Sequence, residues 1–204
     1  MTDPPYEPAA PRHVGKMVVA ATGWLALAVA YYFTLPIFDM ISLLGWLLLA
    51  ACWLWAVIAS VVVVMSLLKQ RRWQRAVAAA MIAAAAGLGT WHADWLAIYL
   101  SSQVWLHHAE LDDLAAQHRR GTLPADARLP WQIRYLSIDG RVHAQPDAAG
   151  LYLPMWQNWR GEAGGGLVHL ATPPDQDTLI QTAPGGQGRP RRHIDGDWWW
   201  VEGG

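Results

Sequence analysis

Three groups of side chains in this sequence have the types and spacing to do chemistry. The first is the run His107-His108-Ala109-Glu110-Leu111-Asp112-Asp113, with His118 beyond it. On a helix His108 and Asp112, four residues apart, share a face, as do His107 and Glu110, three apart. Imidazole and carboxylate at that spacing can hold a divalent cation. The run lacks the His-Glu-x-x-His pattern, and adjacent helical residues diverge by about 100°. The expectation is therefore a solvated helix face.

The second group is His143, His169 and His193, one on each of three expected strands. On neighbouring strands they would make a zinc or copper site, or a pH-sensitive one, because imidazole titrates near neutrality. They are the metal candidates. The third group is Asn158-Trp159-Arg160-Gly161-Glu162, followed after Ala163 by Gly164, Gly165 and Gly166. Glycine amides can cradle a phosphate, but no Gly-Lys-Ser/Thr or Gly-x-Gly-x-x-Gly context surrounds these, so a flexible loop is expected. Tyr152, Trp156, Trp159 and Arg160 can form an aromatic patch for a glycan or a peptide. Trp156, Trp159, Arg160, Trp198, Trp199 and Trp200 are the candidate partner-binding residues. Catalysis finds no support: Ser101, Ser102 and Ser137 are the only serines after residue 100, and none lies in Gly-x-Ser-x-Gly. No enzyme and no cofactor are expected.

The elements that must position these residues fall into two kinds. The chain has 204 residues, 53% apolar and only 15% charged, against about 25% charged in a typical soluble protein. It holds 14 Trp and 2 Phe, and its net charge is −1, which gives no support to nucleic-acid binding. The single Cys excludes a disulfide scaffold. Leu49-Ala50-Ala51-Cys52 has the form of a lipobox but lies inside a long apolar run, so Cys52 reads as an ordinary membrane-helix residue.

Residues 1–16 are polar and rich in proline and read as a disordered cytoplasmic tail. Residues 17–38, 40–68 and 76–100 read as three transmembrane helices, since each can cover the roughly 30 Å hydrocarbon layer. Pro36 and Asp39 mark the turn between the first two. The first span is too long for a signal peptide and is expected to stay as an anchor. The third span is rich in alanine, which lets a neighbouring helix approach closely, within the group, in a partner or in a second copy.

Residues 69–75 form a basic loop carrying Lys69, Arg71, Arg72 and Arg75. With Arg12 and Lys16 these make six cations on one side of the short flanks and none on the other. The N-terminus and the basic loop are therefore expected in the cytoplasm and the C-terminal half outside it. Nine Arg and no Lys after residue 100 suggest a GC-rich bacterial genome, hence a multi-pass protein of the bacterial inner membrane.

Residues 101–120 read as a helical stalk ended by Gly121. Residues 130–204 read as a small α+β, mostly antiparallel β, periplasmic domain. Residues 132–138 with Asp139-Gly140 and 141–144 suggest one hairpin, and 192–194 with Asp195-Gly196 and 197–201 a second. Residues 151–153, 167–171 and 178–182 suggest further strands, with turn material at 164–166 and 184–190. Alternation places Trp199 opposite to Trp198 and Trp200.

No motif in the sequence identifies a family; the arrangement of spans and outer domain alone suits a pilus-accessory or immunity-like role. The expected function is non-catalytic: an inner-membrane protein holding a periplasmic interaction domain, as accessory or assembly factor of a cell-envelope system. Its partners would be the bilayer and another envelope protein, or a second copy through the third span. The alternative is a periplasmic metal-, pH- or small-ligand-binding or sensing protein.

Overall fold

The structure is a computed structural model that describes residues 12–34, 42–145, 150–157, 160, 163–183 and 186–203. The tail up to residue 11, the turn at Pro36 and Asp39, and Trp159 lie outside the described residues. The chain divides into two compact units.

The first unit is helical. Helix α1 runs Arg12–Tyr32, α2 runs Ser42–Lys69 and α3 runs Trp73–His92. The helix thus starts at Arg12, inside the stretch expected to be a tail. One or two helices are apolar enough to cross a membrane: α2 alone over Leu43–Lys69, and α3 together with the helix that follows it. The apolar part of α1, Met17–Tyr32, is shorter. Large apolar side chains such as Leu25, Leu43, Trp46, Leu54 and Ile82 are exposed, while Leu27, Leu49, Leu67 and small residues such as Ala56 and Ala76 are buried. A Cβ on Gly23 would come 2.9 Å from the Ala56 Cα. Ala76 is buried against Val63 and Leu67. The Trp24 indole donates to Ser60 (3.1 Å) and the Trp53 indole to the Tyr31 hydroxyl (3.1 Å). Trp24 and Trp53 meet edge to face at 5.7 Å. The expected enclosure of α3 is not found within the unit: most of its described residues are exposed.

Helix α2 ends in a Schellman turn. Arg71 takes φ 57°, and the Arg72 and Arg71 amides return to the Leu67 and Leu68 carbonyls at 3.1 and 2.9 Å. The basic loop is therefore a three-residue connection, and Lys69, Arg71, Arg72 and Arg75 are all exposed.

The second unit holds helices α4 (Trp95–Leu106) and α5 (His108–Arg119) and seven strands. The span expected over 76–100 is broken. Ala93 is extended, and the Asp94 carboxylate accepts the Ala97 amide at 3.0 Å as the N-cap of α4. Another break at His107 separates α4 from α5. The stretch expected as a stalk is part of the domain core instead. Tyr99, Leu100, Val104, Leu111 and Leu114 are buried with Leu151, Leu167, Trp198 and Trp200 in one cluster. Their helical spacing is the signature of an amphipathic face, and the sheet is what covers it. As expected, Gly121 ends α5, at φ 69°.

The strands are β1 (Asp126–Arg128), β2 (Arg141–Gln145), β3 (Gly150–Gln157), β4 (Gly164–Leu170), β5 (Ile180–Ala183), β6 (Gly186–Asp195) and β7 (Trp198–Gly203). They form one antiparallel sheet in the order β1-β2-β3-β4-β7-β6-β5, curled into a half-barrel. The β6–β7 hairpin turns at Asp195-Gly196 as expected, with Gly196 at φ 52°. The other expected hairpin does not form. Residues 132–138 contain a 3₁₀ turn, Arg134–Leu136, and β2 pairs with β1. Ile133 and Leu136, three residues apart, are both buried, a spacing that one 3₁₀ turn places on the same side.

The glycines at 164–166 are strand rather than turn. A Cβ on Gly165 would come 3.0 Å from the Trp200 ring, and one on Gly166 would meet the Leu153 carbonyl and, at 2.9 Å, the Tyr152 ring. Glycine is required because one large ring lies over each face of β4. Residues 186–190, also expected as turn, belong to β6. Trp199 does point opposite to its neighbours: Trp198 and Trp200 join the helix-covered core, and Trp199 packs on the second cluster, formed by Tyr152, Val168, Leu170, Ile180 and Val201.

Candidate functional site

The register settles where the three strand histidines lie. His143 on β2 pairs with Tyr152, Tyr152 with Val168, Val168 with Trp199, and Trp199 with His193. His143 and His193 therefore share a face but lie four strand spacings apart, about 19 Å measured along the curled sheet. His169 pairs with Leu151 and lies on the other face. The sheet does not bring the three together, and among the described residues no group of His, Cys, Asp or Glu could hold a metal ion.

Each histidine has its own surroundings. His193 is exposed; its Nε2 meets the Gly196 carbonyl at 2.7 Å and its ring packs on Trp199. His169 is buried against Trp198, with Arg119 at 3.3 Å and Asp197 at 3.7 Å from its Nε2. It lines a cavity of about 750 Å³ together with His108, Asp112, Arg119 and Asp197. His108 and Asp112 do share a face of α5, and it is this one. The adjacent His107 faces elsewhere, bonded to the Tyr135 hydroxyl at 2.7 Å. Burial pushes His169 below its ordinary value; Arg119 and His118 add to this, and Asp197 and Asp112 oppose it.

His143 lies in the most organised polar cluster of the molecule. Its Nδ1 meets the Asp126 carboxylate and its Nε2 the Asp139 carboxylate, each at 2.7 Å. Neither carboxylate can donate, so the ring makes both bonds only when both nitrogens carry protons. The turn before β2 fixes the second partner. Gly140 at φ 68° reverses the chain, and Asp139 Oδ1 accepts the Ser137 hydroxyl (2.6 Å) and the Arg141 amide (2.9 Å). Burial raises the Asp139 pKa, but the bonds from Ser137, the Arg141 amide and His143 outweigh it, and the group lies below its ordinary value.

This cluster borders a cleft of about 470 Å³ on the curled face of the sheet, between β2 and β3 on one side and β5 on the other. Gln145 crosses the gap. Its side chain donates to the Gln181 carbonyl (3.2 Å) and accepts the Gln181 amide (3.0 Å), as a neighbouring strand would. Tyr152 and Thr182 line the cleft. They are 2% and 6% exposed, and neither hydroxyl has a hydrogen-bond partner among the described residues. Burial, and after it the Asp139 carboxylate, push the Tyr152 hydroxyl above its ordinary value, so it stays protonated.

The candidate partner-binding residues separate. Trp198 and Trp200 are buried in the domain's own core and offer no surface to a partner, a correction with a plain cause: the helix-covered face needs their area. Trp199 and Trp156 are half-buried, and Arg160 is exposed.

Asp126, Asp139, Gln145 and Thr182 carried no signal of a site in the sequence. Asp139 reads as a turn residue, and only the strand order brings Thr182 near His143. No protein-family model, curated protein or solved structure matches the chain.

Proposed function

We propose that this chain is a non-catalytic protein of the bacterial inner membrane, with three spans and a cytoplasmic N-terminus. It presents the unit beginning at Asp94 to the periplasm as a binding module, an accessory or assembly factor for an envelope system. The observation that carries the reading is the contrast between its units. Helices α1 to α3 expose most of their large apolar side chains, while the second unit gathers most of its own in a core, leaves fewer outside, Trp105 and Trp131 among them, and has a cleft lined partly by polar side chains. A surface of the first kind suits lipid, and one of the second kind suits water. The six cations flanking the spans on one side set the orientation.

Orientation is tested with single cysteines in a Cys52→Ala background, using a membrane-impermeant maleimide on intact spheroplasts. Gln187→Cys should react at once and Gln70→Cys only after permeabilisation; the reverse pattern refutes the orientation. Partner binding is tested by crosslinking in native membranes, comparing the full chain with one lacking 94–204. The cut is placed there because α4 and α5 share the core of the sheet. A partner captured only by the full chain supports a binding module. Capture by both chains moves the interaction to the spans, and capture by neither removes the protein-partner role.

A ligand-binding role of the same domain is favoured by one observation, the cleft beside His143.

A further inference from the structure

We propose that this cleft binds an uncharged, hydroxyl-rich small molecule of the sugar class. The proposal rests on reading the second unit as a binding module. Its size falls in the range of small-molecule sites, roughly 300–1,000 Å³.

The charges decide the class of ligand. Among the described residues, Asp126, Asp139 and His143 are the charged or titratable groups lining the cleft, apart from the Tyr152 phenol. Two carboxylates outweigh one imidazole whether or not the ring is charged, so an anion meets net repulsion. A metal ion finds both imidazole nitrogens already facing carboxylates. The hydrogen-bonding groups point the same way. The Tyr152 and Thr182 hydroxyls each give one donor and accept in return, and both are buried without partners among the described residues. Leaving such groups unpaired costs free energy, which a ligand hydroxyl recovers. The outer carboxylate lone pairs of Asp126 and Asp139 accept from further hydroxyls. Ile138, Pro154 and Ala183 give the cleft an apolar side for the C–H face of a ring. A ligand that both donates and accepts at each atom, and carries no charge, matches all of these at once; an amine donates only.

The test uses the full chain in nanodiscs and titration calorimetry with glucose, N-acetylglucosamine and maltose. Spermidine and inorganic phosphate serve as charged controls. Saturable binding of at least one sugar, with neither control bound, is the expected result. Tyr152→Phe should weaken that binding by about tenfold while leaving the melting temperature unchanged or raised, since it removes an unpaired buried hydroxyl. Asp139→Asn should also weaken it, and His193→Ala, four strands away, should not. Binding of spermidine or phosphate in place of a sugar overturns the proposal. So does the absence of binding by all three sugars, or sugar binding that Tyr152→Phe leaves intact. A partner captured by the full chain alone, with no sugar bound, would leave the binding module standing and remove only its ligand.

Discussion

Trp46 on α2 leaves 72% of its surface exposed, whereas Trp200 on β7 leaves 4%. In the helical unit Trp46, Trp73 and Trp91 face outward; in the second unit Trp198 and Trp200 belong to the core, while Trp105 and Trp131 stay outside it. In the helical unit Gly23, Ala56 and Ala76 make close contacts, Leu27, Leu49 and Leu67 are buried beside them, and most of the other large groups face outward. In the β unit Trp198, Trp200, Tyr152 and the leucines of β3 and β4 are inside, and the described Arg and Asp residues lie at the surface. The lesson is that apolar composition tells which solvent a surface meets, not where a core lies. Helices in lipid gain nothing by hiding leucine from their surroundings, so close packing of small residues and a few hydrogen bonds hold them together. A sheet in water is held by area removed from the solvent.

The contrast is broken or sharpened first by tryptophan substitution. Trp200→Ala should cost about 3–5 kcal/mol, as for other large core residues cut to alanine. Trp46→Ala should cost about 1 kcal/mol or less, since no protein packing is lost. Thermal unfolding of the full chain in nanodiscs, followed by near-ultraviolet circular dichroism, compares the two. Equal losses would mean that Trp46 is packed against something, and the outward-facing reading of α2 would fall.

Glycine makes the next comparison. In β4 the Cβ of Gly166→Ala would strike the Leu153 carbonyl of the neighbouring strand, which cannot move without breaking the ladder. In α3 the Cβ of Gly87→Ala would come 3.1 Å from the edge of the Trp24 ring, which can turn aside. The β4 change should cost about 2–3 kcal/mol and the α3 change under about 1 kcal/mol. Urea midpoints of proteolytic protection, read separately in each unit, test this.

A smaller effect separates the units by pH. His169 is held below its ordinary value of 6.5 by burial. The unfolded chain therefore takes up a proton that the folded one refuses. The contribution of His169 is complete above about pH 6.5 and is lost as pH falls through its folded value. Asp139, also lowered, acts only at more acid pH, below its ordinary 3.8. Melting temperatures of the β unit at pH 7.5 and 5.5 should differ, and His169→Gln should flatten the difference. An unchanged slope in that variant would place the titration elsewhere.

These contrasts explain which parts could be read from the sequence. The β6–β7 hairpin was legible because its turn residues and flanking alternation are local. The face taken by Trp199 was legible because alternation needs only the strand. The segment 132–138 looked like a strand, yet its two buried residues, Ile133 and Leu136, stand at helical spacing, a signal present but weak in seven residues. The glycines of β4 could not be read as strand, because the rings that require them come from positions 152 and 200. The cleft was illegible for the same reason: Gln145 and Gln181 are 36 residues apart, and nothing local joins them. The break after His92 was legible in principle, since Asp94 before an apolar run is an N-cap signal. The continuous apolar pattern on both sides outweighed it.

That cap supports the smallest prediction. Asp94 accepts the Ala97 amide and also meets Arg192 of β6 at 2.6 Å. Its pKa is lowered by the amide bond first, opposed by burial, with Arg192 adding to the lowering. Both partners of the ion pair are well exposed, so solvent screens it and it contributes little. The cap is different, because it satisfies an amide that no helical carbonyl can reach. Asp94→Ala should therefore cost about 1 kcal/mol. Asp94→Asn keeps an accepting oxygen and should restore most of it. Arg192→Gln should change almost nothing. The three variants, ranked by unfolding of the β unit, distinguish the two roles. If Arg192→Gln costs as much as Asp94→Ala, the charge pair and not the cap holds α4 to the sheet. The β unit would then depend at its edge on electrostatics, as its core does not.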